Sequence, residues 1–264
     1  MSDEASVIAR IAHDVRASGV EAGDILLVHA SLRALGFVPG GAPTVIAGLQ
    51  QALGPAGTLL MPALSYATVT PAHPYFDLTE TPANVGVIAE TFRRTPGVQR
   101  SLHPTHSVCS SGPATAALLA AHGDDRTPCG QHSPFRLLPT FRGKILMLGC
   151  GLLPNTSFHA IEELVNPPYL FGAPLDYTLV DGNGVRTVRR YTPHGFAGVR
   201  QRYDRIATQL ISPALRVGQV LAARVYLFDA AAMWEAALAA LQADPYAFVE
   251  FVEESDRAST PGGS

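Results

Sequence analysis

A histidine and a glutamate three residues apart have the types and spacing best suited to chemistry in this chain. They are His159 and Glu162, in the stretch 155–163. On a helix, residues three apart share a face, so the carboxylate would lie beside the imidazole. An imidazole oriented by a carboxylate is the usual arrangement of a general base. The other interpretation of the same spacing is a helix start with a polar face and a capping glutamate.

The elements around this pair predict where it lies. A strand-like run, 144–149, and a turn-rich link precede Asn155, Thr156 and Ser157, which are all good N-cap residues. A helix that opens at Thr156 or Ser157 would hold His159 in its first turn.

A second candidate region follows the apolar run 25–28, which predicts a buried strand. His29 and Ser31 stand at its C-terminal end, where open α/β sheets collect ligands. The alternative for His29 is a buried imidazole that the backbone satisfies. Further on, Gly40 and Gly41 precede a predicted helix, whose free N–H groups can hold an anion, although most glycine pairs only shape a turn.

Two further segments carry polar candidates. The segment 63–84 is long, proline-containing and loop-like, and long loops often line sites. The stretch 100–110 is dense in histidine and serine, and its His103 and His106 flank a proline. Because that segment is extended or turning, hydrogen-bonded loop histidines are favoured over a metal site, and we expect no metal.

The composition limits the possible classes of protein. The 264 residues are 47% hydrophobic, enough for one large core, and the net charge of -3 argues against a nucleic-acid partner. No apolar run reaches the roughly 18 residues of a membrane span. An acidic N-terminus is not a secretory signal, and three cysteines suit a reducing compartment, so we expect a cytoplasmic protein.

The order of predicted strands and helices indicates one α/β domain over residues 1–254. We expect three α/β/α layers, with helices on both faces of a central mixed sheet. The clearest hairpin, 177–188, turns at 181–184 and should project as an appendage. The polar tail 255–264 is predicted to be disordered. Phosphate-loop, dinucleotide-binding and serine-hydrolase motifs are missing from the sequence.

Ordered blocks over roughly residues 25–165 resemble the aminoglycoside 3-N-acetyltransferase family, antibiotic acetyltransferases distinct from the GCN5-related fold. The blocks that carry the resemblance are 28–32 with Gly36 and 40–41, 57–62, 81–93, 100–108, Gly130 with 133–134, and 156–162. The last third of the chain matches less clearly.

The resemblance implies transfer of an acetyl group from acetyl-CoA to the 3-amino group of a deoxystreptamine ring, which confers antibiotic resistance. His159, held by Glu162, would accept the proton of the amine. The Thr156 hydroxyl or helix N–H groups would stabilise the oxyanion, at about 3 kcal/mol for each donor. His29 is a candidate second catalytic or orienting imidazole.

The resemblance also suggests binding residues. The candidates for acetyl-CoA are Ser31, Leu32, Gly40, Gly41, His106, Ser107 and Val108. Aminoglycosides are polycations and need carboxylates in the cleft, so Asp77 and Glu90, with Tyr66 beside them, are the candidates for the acceptor.

Three alternatives stay open from the sequence. The same fold could acylate a different amine, such as a biosynthetic intermediate, or the chain could bind CoA or antibiotic without catalysis. A ping-pong route through a thiolate of Cys109 or Cys150 is the third. Monomer and homodimer are equally compatible with the sequence.

Overall fold

The computed structural model describes residues 3–252, so the predicted disordered tail lies outside the described residues. The helices are α1 (Asp3–Ala17), α2 (Ala42–Leu53), α3 (Val87–Arg93), α4 (Thr115–Leu119), α5 (Pro134–Leu137), α6 (Ser157–Val165) and α7 (Ala230–Ala243). The strands are β1 (Ile25–Ala30), β2 (Thr58–Pro62), β3 (Tyr75–Asp77), β4 (Gln99–Arg100), β5 (Val108–Ser111), β6 (Lys144–Leu148), β7 (Leu175–Val180), β8 (Arg186–Tyr191), β9 (Val199–Gln201), β10 (Leu215–Val220), β11 (Ala223–Asp229) and β12 (Val249–Phe251).

Seven strands form the central sheet, in the order β10-β11-β6-β1-β2-β5-β4. The three inner strands β6, β1 and β2 are parallel, and the flanking pairs are antiparallel. His29 pairs in register with Met147, which places the carboxyl ends of β1 and β6 side by side. The sheet is therefore mixed, as predicted.

Helices cover both faces of this sheet. Leu26 and Val28 of β1 join the core built with α1, α2 and α3. Leu27 points the other way, into the core built with α4 to α7. This alternation follows from the period of two in a strand, and it confirms the three-layer α/β/α prediction.

The predicted hairpin is present as β7 and β8. The Asp181 carboxylate accepts hydrogen bonds from the N–H groups of Asn183 and Val185, which fixes the turn. The hairpin is not an isolated appendage, because β3 pairs parallel with β7 and makes a three-stranded sheet. Its buried side chains form a separate small core: Val69, Phe76, Tyr177, Leu179 and Tyr191.

Arg100 connects this second sheet to the first. Its guanidinium donates to the carbonyl oxygens of Leu78, Thr81 and Ala63, and it lies over the Phe76 ring. One partly buried cation thus holds the long loop 63–84 against the central sheet. Within residues 3–252, no helix is long and apolar enough to cross a membrane.

Candidate active site

A cavity of about 850 Å³ lies beside the carboxyl ends of β1 and β2, where the α/β topology predicts a ligand site. The long loop contributes Tyr66, and the segments after β6 and β8 close the other sides. Among the residues predicted for the site, the cavity is lined by His29, Tyr66, His106, Thr156 and His159.

Helix α6 positions the His159–Glu162 pair. The Asn155 side-chain oxygen accepts a hydrogen bond from the Ser157 N–H and satisfies the helix start. His159 lies in the first turn, as predicted, with Nδ1 3.3 Å from a carboxylate oxygen of Glu162. The histidine lines the cavity, whereas the glutamate is fully buried behind it.

Two tyrosines hold the buried carboxylate of Glu162. Tyr169 donates to one oxygen at 3.0 Å, and Tyr203 donates to the other at 2.8 Å. Burial and the neighbouring Glu162 carboxylate raise the pKa of the Tyr203 phenol well above its usual value. Both phenols therefore stay protonated and donate to the carboxylate.

This network fixes the tautomer of His159. The one hydroxyl hydrogen of Tyr203 goes to Glu162, so its oxygen, 2.9 Å from Nδ1 of His159, acts as an acceptor. Nδ1 must then carry the proton, which it shares between Tyr203 and Glu162. Nε2 is left with a free lone pair on an imidazole that lines the cavity, which is the form a general base needs.

His29 ends β1 at the cavity wall. The residue is 7% exposed, and its Nε2 has no hydrogen-bond partner among the described residues. Burial, with a smaller contribution from His159, lowers its pKa to about 3. His29 is therefore a neutral imidazole, so it can offer a hydrogen bond but not a positive charge.

Thr156 and Tyr66 both line the cavity. Thr156 precedes α6, and its hydroxyl makes no hydrogen bond within the described part of the chain. A free hydroxyl at a helix N-terminus is suited to an anionic oxygen. Tyr66 comes from the long loop, as its composition suggested.

Two more histidines join His159 at the cavity. His194 follows β8, and its Nε2 lies 2.8 Å from the Glu163 carboxylate. Nδ1 of His106 lies 2.9 Å from the Thr105 hydroxyl. Burial lowers the pKa of both imidazoles well below the usual value, so they are neutral near pH 7. The ring nitrogens of His106, His159 and His194 lie within 4.8 Å of one another.

Two of the residues predicted to hold acetyl-CoA have buried side chains. Ser107 and Val108 are fully buried. The Ser107 hydroxyl donates to the Ala63 carbonyl and accepts from Arg100, so it helps to anchor the long loop. Both side chains belong to buried structure, and the part of these residues in cofactor binding stays a prediction.

The other acetyl-CoA candidates lie outside the cavity lining. Ser31 and Leu32 are half-buried just after β1, and Gly40 and Gly41 form the turn before α2. Both glycines have φ between +65° and +74°, a conformation that glycine adopts without strain. Their part in cofactor binding stays a prediction.

The acidic residues predicted for the acceptor do not line the cavity. Asp77 accepts hydrogen bonds from two backbone N–H groups in its own turn. Glu90 binds Arg93, Arg94 and the Ala83 N–H. Although partial burial works against ionisation, these partners lower its pKa to about 2. Both carboxylates are engaged in local structure, and their part in acceptor binding stays a prediction.

Neither candidate thiol is suited to be a nucleophile. Burial raises the pKa of Cys109 to about 12 and that of Cys150 to about 11. Cys150 does line the cavity, but both groups are protonated thiols near pH 7. The geometry thus disfavours the ping-pong route.

The charged residues of the cavity wall are basic. Among the described residues, the lining contains Arg200 and Arg202 and no carboxylate. The Glu250 carboxylate binds both arginines, and Asp204 also binds Arg202. The charges of these acids and of the two arginines are therefore paired with one another.

The residues that the sequence did not reveal come mainly from beyond position 165: Glu163, Tyr169, His194, Phe196, Arg200, Arg202 and Tyr203. Of these residues, only His194 could have been predicted from local sequence, because it lies in a Pro-His-Gly turn directly after the hairpin. The tyrosines that hold Glu162 lie in segments with no motif.

A model of the aminoglycoside 3-N-acetyltransferase family matches residues 27–242. The chain is also 30% identical over 259 residues to aminoglycoside N(3)-acetyltransferase IX of Micromonospora chalcea, covering 87% of this chain and 91% of that protein. The chain therefore belongs to the aminoglycoside 3-N-acetyltransferase family, whose members are named for an acyltransferase activity.

Solved structures with ligands share this fold. AAC-IIIb, solved as a binary complex with CoASH, is 28% identical with a TM-score of 0.75, covering 88% of this chain and 95% of that one. AAC-VIa bound to sisomicin is 28% identical with a TM-score of 0.75, covering 89% of this chain and 97% of that one.

Proposed function

We propose that this protein transfers the acetyl group of acetyl-CoA to the 3-amino group of an aminoglycoside and thereby confers antibiotic resistance. One observation carries the proposal: the His159 imidazole lines the cavity while Glu162 and Tyr203 bind its Nδ1. The family match and the relatives solved with CoASH and with sisomicin support this choice of substrates.

The chemistry starts from the protonation state of the acceptor. An alkylammonium has no lone pair, so it must lose a proton before it can attack the thioester. Nε2 of His159 accepts that proton, and the resulting imidazolium is stabilised by Glu162 through Nδ1–H. The amine nitrogen then forms a bond to the acetyl carbon, and the C–S bond breaks. His159 first passes the ammonium proton to solvent, and it then takes a second proton from the attacking nitrogen as the amide forms. His159 gives this second proton to the departing CoA sulfur, so the products are the amide, the CoA thiol and one proton in solvent.

Thr156 is suited to stabilise the intermediate. Negative charge develops on the thioester oxygen as the amine attacks, and the free Thr156 hydroxyl lies at the N-terminus of α6 on the same wall as His159. A hydroxyl aimed at this oxygen contributes about 3 kcal/mol, together with the helix dipole. The neutral His29 is the candidate for orienting the bound acetyl group or amine.

The test is turnover of acetyl-CoA with kanamycin-type, gentamicin-type and apramycin-type acceptors. We expect His159→Ala to lower kcat by about 10²–10⁴-fold while acetyl-CoA binding, measured by calorimetry, is retained. The matched control is His13→Ala, because His13 is exposed on α1. An active His159→Ala enzyme would refute the general-base role.

A second candidate is acylation of a less cationic amine. It is favoured by the lining of the cavity, whose charged residues are Arg200 and Arg202 rather than carboxylates. Because Glu250 and Asp204 pair with these arginines, the lining offers a polycation no unpaired carboxylate among the described residues. Comparing kcat/KM for monoamine and polyamine acceptors decides between the two, since a preference for monoamines supports this second candidate.

A cytoplasmic location is part of the proposal. Cys109, Cys129 and Cys150 are all free thiols in the structure, in keeping with a reducing compartment. Acetyl-CoA is a cytoplasmic metabolite, so the reaction also needs that location.

A further inference from the structure

Three imidazoles from distant parts of the chain meet at the cavity. His106 comes from the loop before β5, His159 from α6, and His194 from the segment after β8. Each offers a ring nitrogen within 4.8 Å of the other two. The ring centroids are 5.8 Å apart for His106 and His159, 5.3 Å for His106 and His194, and 5.1 Å for His159 and His194.

Each imidazole has one ring nitrogen that is bound by another side chain. Nδ1 of His159 binds Glu162 and Tyr203, and Nε2 of His194 binds Glu163. Nδ1 of His106 lies beside a threonine hydroxyl. Protein zinc ligands have this arrangement, in which a carboxylate or another polar group binds the second ring nitrogen and leaves the first as the ligand.

The free nitrogen of His194 is the strongest sign of a missing ligand. The His194 side chain is 3% exposed, and its Nδ1 is buried without a hydrogen-bond partner among the described residues. Its other nitrogen donates to Glu163, so Nδ1 carries a lone pair. A buried lone pair without a donor costs free energy, and a metal ion would satisfy it.

The spacing suits a small tetrahedral ion. Nitrogen ligands about 2.0–2.1 Å from a tetrahedral Zn²⁺ lie about 3.3 Å apart. Movements of about 1 Å by the rings would bring the three nitrogens to that spacing. Three imidazole ligands would leave the fourth position of a tetrahedral ion open. Oxygen-seeking Mg²⁺ and Ca²⁺ do not suit such a set of ligands.

We propose that His106, His159 and His194 bind one Zn²⁺ ion, and that the ion inhibits acetyl transfer by occupying Nε2 of His159. The inhibitory half rests on the proposed function, because it needs His159 as the base. The proposal that the three histidines bind Zn²⁺ depends only on the geometry of the site.

Calorimetric titration of the chelator-treated full chain with ZnCl₂ tests binding. The expected result is one Zn²⁺ per chain, with an affinity at least about tenfold weaker in both His194→Ala and His106→Gln. His13→Ala should bind as the wild type does. Circular dichroism checks folding, and if His194→Ala fails to fold, His106→Gln still tests the site. Wild-type affinity in the folded variants would overturn the site.

The inhibitory half is tested by acetyl-CoA turnover with and without ZnCl₂. Loss of the thioester absorbance is followed, because the thiol of free CoA itself binds zinc. Turnover of the wild type should fall on addition of Zn²⁺ and return with EDTA. If His106→Gln turns over, the Zn²⁺ concentration that halves its rate should be at least about tenfold higher than for the wild type. Full turnover with one Zn²⁺ bound would overturn inhibition. A protein inactive with every acceptor would refute the proposed function but leave the binding result intact.

Discussion

The phenolic oxygen of Tyr203 lies 2.9 Å from Nδ1 of His159, although the two residues are 44 positions apart. Because the same hydroxyl donates to Glu162, it links the imidazole and the carboxylate into one network. The network orients His159 with Nε2 free at the cavity.

Tyr203→Phe should weaken catalysis without removing the base. Loss of the hydroxyl removes one hydrogen bond from His159 and one from Glu162, and we expect kcat to fall about tenfold with little change in KM. Steady-state kinetics and the pH profile of kcat are the measurements. Tyr226→Phe, on β11 away from the cavity, is the control. Unchanged kcat and pH profile would show that the hydroxyl does not position His159.

Glu162→Gln should be more damaging, because a neutral amide cannot stabilise the imidazolium and can favour the wrong tautomer. We expect kcat to fall by about 10²–10⁴-fold. Thermal unfolding should confirm that the variant folds. The control is Glu235→Gln, because Glu235 is exposed on α7, and this variant should have the kcat of the wild type. A folded Glu162→Gln enzyme with wild-type kcat would contradict the assigned role.

Buried neutral histidines should make folding stability sensitive to mild acid. The pKa values of His29 and His122 are lowered to about 3, and those of His103, His106 and His194 lie well below the usual value, in each case mainly through burial. The unfolded chain therefore binds more protons below about pH 6.5, so stability is present above that pH and is lost as the pH falls towards 3.

Denaturant unfolding between about pH 5 and pH 8 measures this dependence. Each buried imidazole contributes a slope of up to about 1.4 kcal/mol per pH unit below its unfolded pKa. His122→Asn, which leaves a polar group near Ser101, should reduce the slope by about one proton. A free energy of unfolding that stays constant from pH 7 to pH 5 would show that these histidines are charged in the folded protein.

Glu90→Gln should affect stability and spare acceptor binding. The Glu90 carboxylate binds Arg93 and the Ala83 N–H away from the cavity lining, so we expect a loss of about 1–2 kcal/mol in the free energy of unfolding. The KM for the acceptor should not change. A large rise in KM at unchanged kcat would instead place this carboxylate in the acceptor site.

Arg200→Ala should improve the use of polycationic acceptors. The Arg200 guanidinium binds one oxygen of the Glu250 carboxylate at the cavity wall. Removal of Arg200 frees that oxygen for the acceptor, while Arg202 still binds the other oxygen. We expect kcat/KM for an aminoglycoside to rise a few-fold at low salt and to approach the wild-type value at high salt. Arg190→Ala removes a comparable exposed ion pair with Asp176 on the hairpin and should have no such effect. A salt-independent decrease would mean that Arg200 itself contacts substrate.

Local sequence was sufficient to predict the helix that carries the His159–Glu162 pair and six of the twelve described strands: β1, β2, β6, β7, β8 and β11. The His159–Glu162 pair follows from helical spacing, and the N-cap residues before it set the start of α6. Alternating and continuous apolar runs gave the strands, and a Gly-containing turn gave the hairpin. These features depend on residues a few positions apart, so the sequence alone determines them.

Long-range packing decided what surrounds that pair. Tyr203 and His194 reach His159 only because the chain after β8 folds back over α6. Tertiary packing also buried Ser107, and Glu90 pairs with neighbouring arginines, neither of which the sequence patterns predicted. The sequence by itself determined the helix that carries an imidazole and a carboxylate on one face. Only the tertiary structure decided the tautomer, the basic cavity wall and the histidine cluster, because each depends on contacts between segments that no local pattern specifies.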